Sequence, residues 1–316
     1  MQTSTIDKWF CAFFFFASSI AAEKVDILSN FHLDELDPVW KIRLETFFDV
    51  RSLSMGSEQY LKEYYTDEID KLFVMNGCSE EVFARVPREK LVLVLWEPGG
   101  IGPDHTYCDH FIRTYTYNDL LIDNKRYYKY CYPVLLPRVS NIPDFDLKKF
   151  SVMIAHSWSK LRVQLIHFFE QKSDEDFEFF GFTPLIQSPK YRGAIPGHPV
   201  CNEKLEHLKN YRFSICFENS AIPGYVTEKI FACFAGGCVP VYWGAPNIEE
   251  YVPKNCFIDY RDFSSDEELY QYLKAMPRSV YEGYMERIGS YLQSKQARQF
   301  SAERFNEIIL EAVLDE

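Results

Sequence analysis

The chain has 316 residues, 47% hydrophobic and 25% charged, an ordinary globular composition with length for two domains. Its net charge of −12 excludes the basic face expected of a nucleic-acid binder, so an anionic ligand must be gripped by a few local cations. Nine cysteines, an odd number with no CxxC pair, read as mostly free thiols in a reducing compartment.

Residues 9–22, WFCAFFFFASSIAA, are a 14-residue apolar run, short of the roughly 17–25 residues that span a membrane. A cleaved signal or short anchor and an amphiphilic segment both stay open, because Asp7 and Lys8 precede the run without net positive charge. KVDILSN, KLFVMNG and KLVLVLW then read as strands, with EEVFARVP a short helix between the second and third. FIRTYTYN and YYKYCYPVL are further aromatic strand-like pieces. The polar stretch 137–150, with two prolines, breaks the pattern. It divides a 23–147 domain from a 148–316 domain.

The second half restarts the alternation. FSVMIAHS, FEFFGF, RFSICFEN, CVPVYWG and CFIDY read as strands. KLRVQLIHFFEQ, NEKLEHLKN and VTEKIFACFAGG read as helices, and the last 50 residues look helical. Strands alternating with helices predict an α/β chain of two doubly wound units, which bind ligands at the carboxyl ends of their strands.

Several residues fall at such strand ends. Glu97 closes a very apolar strand, where burial raises a carboxyl pKa and makes it a usable general base; a loop carboxylate or a cap is the plainer alternative. Gly100-Ile101-Gly102 fails the dinucleotide fingerprint, because His105 stands where the third glycine belongs. His105, Cys108 and His110 have metal-like spacing without an evident fourth ligand. The triplets Asp144/Asp146 and Asp174/Asp176 read as solvated charge in a chain with 46 acids. Arg162 opens a helix after a strand, as a cation for an anion or as a salt-bridge partner of Glu228 or Asp176. In FENSAIPGYVTEKI, residues 217–230, Glu218 and Asn219 end a strand, Pro223-Gly224 turns, and a helix follows with Val226, Ile230 and Phe234 on its inner face. Glu228 suits a helix start. Lys229 does not, and is either a solvated lysine or a cation beside a bound diphosphate.

The stretch 211–263, with FEN…YVTEKI…G.VPVYWG.P at its centre, resembles the signature of the α-1,3-fucosyltransferases; residues 85–170 are collinear but weaker. The resemblance implies a GT-B fold, two Rossmann-like domains facing a central cleft, with acceptor bound by 23–147 and donor by 148–316. It implies inverting transfer of L-fucose from GDP-fucose to a glycan hydroxyl, commonly the 3-hydroxyl of N-acetylglucosamine or glucose. Carried over by position, Glu97 is the general base and Arg162 and Lys229 hold the diphosphate. Glu228 meets the nucleotide sugar or ribose, Asn219 and Tyr225 line the donor site, and Glu218 floors it. The partners implied are GDP-fucose and a glycan, with no nucleic acid and with peripheral or N-terminal membrane association. No cofactor is required, and a stimulating divalent cation stays open. The segment before Arg162 is shorter than the family's usual spacing, a C-terminal cysteine pair is absent and there is no Golgi-type stem. These departures point to a bacterial-type or divergent member, membrane-associated or cytoplasmic, with a Golgi membrane expected of a eukaryotic one. The competing readings are a GT-B enzyme with another nucleotide sugar and a non-catalytic carbohydrate-binding protein.

Overall fold

The apolar runs form two separate, wholly parallel sheets. The structure, a computed structural model, describes residues 24–29, 49–98, 105–155, 159–181, 188–195 and 202–314. The N-terminal apolar run and the Gly-Ile-Gly loop lie outside the described residues.

The first sheet is laid down by β1 (Lys24–Ser29), β2 (Asp49–Ser54), α1 (Ser57–Glu63), β3 (Lys71–Met75), α2 (Glu80–Arg85), β4 (Leu91–Leu95), α3 (His105–Cys108), β5 (Arg113–Thr116) and β6 (Tyr127–Lys129). Its order is β2-β1-β3-β4-β5-β6. Parallel strands covered on both faces need apolar residues at every position, and β4, LVLVL, is buried throughout. β2, with the sequence DVRSLS, departs from that pattern. Its Arg51 reaches across to the buried Asp26 of β1, with two bonds of 2.7 Å, and the Tyr60 hydroxyl completes the set at 2.6 Å. A buried carboxylate is tolerated when it is paired and hydrogen-bonded.

The second sheet follows from β7 (Lys149–Ile154), α4 (Lys160–Glu170), β8 (Glu178–Phe180), α5 (Asn202–Leu208), β9 (Tyr211–Phe217), α6 (Glu228–Gly236), β10 (Val239–Trp243) and β11 (Ile258–Asp259). Its order, β11-β10-β9-β7-β8, reverses between β7 and β9, and such a switch point opens a crevice at the carboxyl ends of the strands. Phe213, Ile215 and Phe217 of β9 pack on Leu165, Ile166 and Phe169 of α4. On the opposite face, Phe231 and Phe234 of α6 join a continuous apolar cluster with Val25, Phe73 and Val94 of the first sheet. Gly237 ends α6 in the left-handed region at φ 70°, a conformation that glycine adopts without a Cβ clash.

Three helices close the chain: α7 (Asp266–Ala275), α8 (Arg278–Leu292) and α9 (Ala302–Leu314). The Ser265 hydroxyl caps α7 by accepting from the Glu268 N–H. α9 returns to the first sheet, where the Tyr115 hydroxyl donates to the Ile308 carbonyl at 3.2 Å and Phe305 lies edge-on to Trp96 and Tyr130. No helix among the described residues is long and apolar enough to cross a membrane.

Candidate active site

β9 delivers Glu218 at the switch point, wholly buried. Two groups of the next loop close on it: the Thr227 N–H donates to Oε1 at 2.8 Å and the Thr227 hydroxyl to Oε2 at 2.7 Å. Thr227 is the N-cap of α6 by position, but its hydroxyl is spent on Glu218. The helix begins at Glu228, two residues later than the apolar spacing suggests, although Val226, Ile230 and Phe234 are all buried.

Lys229 is not a solvated lysine. Its Nζ lies 3.1 Å from Glu218, 3.4 Å from Glu228 and 3.0 Å from the Thr227 hydroxyl. Burial works against its charge, but the two acids outweigh burial and hold the ammonium above its ordinary pKa. Burial also pushes the Glu218 carboxyl up, with Lys229 opposing. Glu228 goes the other way: despite burial, Lys229 and then Lys204 draw it down to about 2.

Arg162 sits in the first turn of α4, where the Ser159 side chain accepts its N–H at 3.3 Å. Its guanidinium is buried and donates to the Phe217 carbonyl and, at 3.0 Å, to Asn219 Oδ1. Burial lowers its pKa, and Glu218 and Glu228 partly offset this. Asp176 pairs with Lys274 at 2.8 Å and with the Tyr270 hydroxyl at 2.6 Å. Arg162, Lys204 and Lys229 line one narrow crevice with Ser214, Cys216 and Cys233. Three cations thus meet two carboxylates, Glu218 and Glu228, around a strand-end crevice, which leaves a local excess of positive charge there.

Across the cleft, the first sheet presents Glu97 just beyond β4. The N–H groups of Trp96 and Glu97 both donate to Asn76 Oδ1 at 2.7 Å. Asn76 is held in the left-handed region at φ 65°. The Glu97 side chain is solvent-accessible, yet its protein surroundings raise its pKa. Lys229 pulls it back, and Glu228 and Glu218 push it further up. Tyr225 is buried in between, its ring 4.8 Å from that of Tyr117 and 5.8 Å from that of Tyr132. All seven expected site residues therefore gather around one cleft: Glu97 from the first domain, the other six from the second, with Asn219 at its exposed rim.

One other expectation needs correction. The Asp174/Asp176 triplet is not simply solvated: Asp176 is buried in the contacts above, and Asp174 accepts from the buried Lys190 at 3.1 Å. The Asp144/Asp146 reading stands: both are exposed, and Asp146 meets the exposed Arg278 at 3.1 Å. Cys108 is core and His110 stacks on Phe83 at 4.1 Å. Among the described residues no three His, Cys, Asp or Glu side chains are grouped to hold a metal. The seven cysteines described are free. Two site residues escaped the sequence reading. Asn76 was signalled by Asn-Gly after an apolar strand, since Asn and Gly favour left-handed backbone. Lys204 shares a helix face with Leu208 at spacing four, a cue to burial in a helix that otherwise looks solvated.

Residues 188–305 match the family described as glycosyltransferase family 10 (fucosyltransferase), C-terminal. Mouse alpha-(1,3)-fucosyltransferase 7 is 35% identical over 130 residues, 40% of this chain and 33% of that protein. Helicobacter pylori alpha-(1,3)-fucosyltransferase FucT is 40% identical over 79 residues, 25% of this chain and 16% of that protein. The matched stretches thus span a third or less of these relatives' own length. A crystal structure of alpha1,3-fucosyltransferase with GDP superposes with a TM-score of 0.64 at 14% identity, covering 95% of this chain and 92% of that one. Anabaena HepE in complex with UDP and glucose reaches 0.54 at 14% identity, covering 92% and 99%. At these identities the likeness is one of fold, the two-domain GT-B architecture.

Proposed function

From a chain whose residues 188–305 match the family described as glycosyltransferase family 10 (fucosyltransferase), C-terminal, we propose a fucosyltransferase that moves L-fucose from GDP-fucose to a glycan hydroxyl with inversion. The 3-hydroxyl of N-acetylglucosamine or glucose is the first acceptor to try. The observation that carries the reading is the buried cation at the end of β9: Lys229 Nζ lies 3.1 Å from Glu218, in the matched stretch, and the adjoining Tyr225 packs on Tyr117 and Tyr132 of the domain that carries Glu97.

Glu97 takes the acceptor proton as the acceptor oxygen bonds to the anomeric carbon of fucose, and the bond from that carbon to the β-phosphate oxygen breaks. GDP leaves with the electron pair. Arg162 and Lys229 face the diphosphate, where growing negative charge makes their attraction strongest at the transition state. Glu228 meets the nucleotide sugar or ribose, Asn219 and Tyr225 line the donor pocket, and Glu218 orients Lys229 and Thr227 from below. With two cations on the leaving group, the reaction needs no metal, and activity should survive EDTA. Membrane association rests on residues 9–22 and is tested by fractionating the full chain.

The decisive assay offers GDP-fucose, GDP-mannose and UDP-sugars with a panel of glycans, and reads product linkage by NMR. Transfer from GDP-fucose alone supports the reading. Preference for a UDP-sugar favours the rival GT-B enzyme with another nucleotide-sugar donor. Binding without turnover favours a carbohydrate-binding protein.

A further inference from the structure

The Pro223-Gly224 turn that leads into Tyr225 and Thr227 is tied to the opposite domain through one residue, Asp119. Asp119 lies between β5 and β6 of the first sheet. Its Oδ1 accepts from Lys129 Nζ at 2.7 Å and its Oδ2 from Asn247 Nδ2 at 2.8 Å. The Tyr251 hydroxyl sits 2.6 and 2.7 Å from its two oxygens. Asn247 and Tyr251 belong to the second domain, just after β10. Asn247 also accepts the Gly224 N–H through Oδ1 at 2.9 Å, and the Asp119 N–H donates to the Pro223 carbonyl at 3.1 Å. Lys129 finishes the knot by donating to the Tyr117 carbonyl at 2.7 Å and lying over the Tyr251 ring at 4.7 Å.

The turn has no slack there. Gly224 has φ +81°, and a Cβ on it would stand 2.3 Å from the Tyr117 carbonyl oxygen and 2.7 Å from Asp119 Oδ2. Tyr117 in turn packs on Tyr225. One charged, hydrogen-bonded centre thus fixes the turn from both its flanks and sets the first domain against it.

We infer that Asp119 is a positioning residue for the transfer step: it clamps the Pro223-Gly224 turn to the first domain, so that the Tyr225–Lys229 segment is held at a fixed place opposite Glu97. Only the kinetic arm of its test rests on the fucosyltransfer reading. Side chains far from the reacting bond can govern rate in this way, because small misplacements of reacting groups cost large factors.

The test uses the full chain with Asp119→Asn and Tyr251→Phe. Hydrogen exchange at backbone amides 220–228 is the first readout, thermal melting the control, and fucosyltransfer kinetics the second. Asp119→Asn should speed exchange of that segment about tenfold or more and lower kcat about tenfold or more in protein that still melts cooperatively. Tyr251→Phe, which keeps the Lys129 and Asn247 contacts, should move both in the same direction by about threefold. Unchanged exchange in the segment for both variants overturns the inference, as does loosened exchange with wild-type kcat. If the wild-type chain transfers no fucose, the activity reading falls, and the exchange data alone decide the clamp.

Discussion

Replacing Lys229 by Met removes the cation between two acids, and the damage should depend on pH. Lys229 Nζ is 3.1 Å from Glu218, a wholly buried carboxylate, and breaking such a pair typically costs about 3–5 kcal/mol. Two bonds from Thr227 remain, and the carboxyl can escape its exposure to low dielectric by taking a proton. Glu218 already sits above 4.5 in the native protein, and losing Lys229 raises it further. A raised folded pKa means that the folded state binds the proton more tightly than the unfolded chain. The stability from this group is therefore complete below 4.5 and is lost as pH rises through the folded value. Each unit of that window is worth about 1.4 kcal/mol, which sets a ceiling of about 5 kcal/mol at pH 8. Because the wild-type carboxyl is raised too, the Glu218 share of the penalty should grow by about 2 kcal/mol between pH 5 and pH 8, while Glu228, held down to about 2 by Lys229, adds a share that is the same at both. Urea unfolding of both proteins at pH 5, 6, 7 and 8, without nucleotide, measures this. Adding Glu218→Gln to Lys229→Met should recover the part of the loss that grows between pH 5 and pH 8. A penalty that is the same at pH 5 and pH 8, or one that Glu218→Gln does not relieve, would refute the reasoning.

Glu97→Gln should lower transfer by about 10²–10⁴-fold while GDP titration gives an unchanged affinity; full activity would remove Glu97 as the base. In the wild type, kcat/KM should rise with pH through an acid limb above 4.5, because the Glu97 carboxyl is raised and must be ionised to accept a proton; a limb below 4.5 would contradict this. Asn76→Ala leaves the N–H groups of Trp96 and Glu97 without their shared acceptor. It should cost about 1–3 kcal/mol in denaturant unfolding and lower kcat more than it changes GDP affinity; equal kcat would confine Asn76 to stability. Lys204→Met should raise the Glu228 carboxyl from about 2, read by carbon NMR of that side chain. An unmoved titration would show that Lys229 and the hydrogen bonds to Glu228 hold it down without Lys204.

The fold was legible where burial is two-sided. LVLVL and YRFSICF cannot be anything but covered strands, and β4 and β9 lie there. β2 was not legible, because DVRSLS earns its place through Arg51 and its bonds to a buried Asp26 on another strand, a partnership that no local pattern encodes. Within the site, Lys229 stood out because a cation opens a helix. What the one-dimensional pattern hid was its answer inside the protein: Glu218, eleven positions back, waits beneath it. Asp119 was invisible for the same reason. Its partners at 129, 247 and 251 meet only when the two domains do.

The return of α9 to the first sheet has a consequence for synthesis. Trp96 and Tyr130 are covered in part by Phe305, which leaves the ribosome after every strand of both sheets. The first sheet thus waits for α9, made after the whole second sheet, to cover the wall behind its own carboxylate. A nascent chain halted before Ala302 would hold most of two sheets and still leave that wall open.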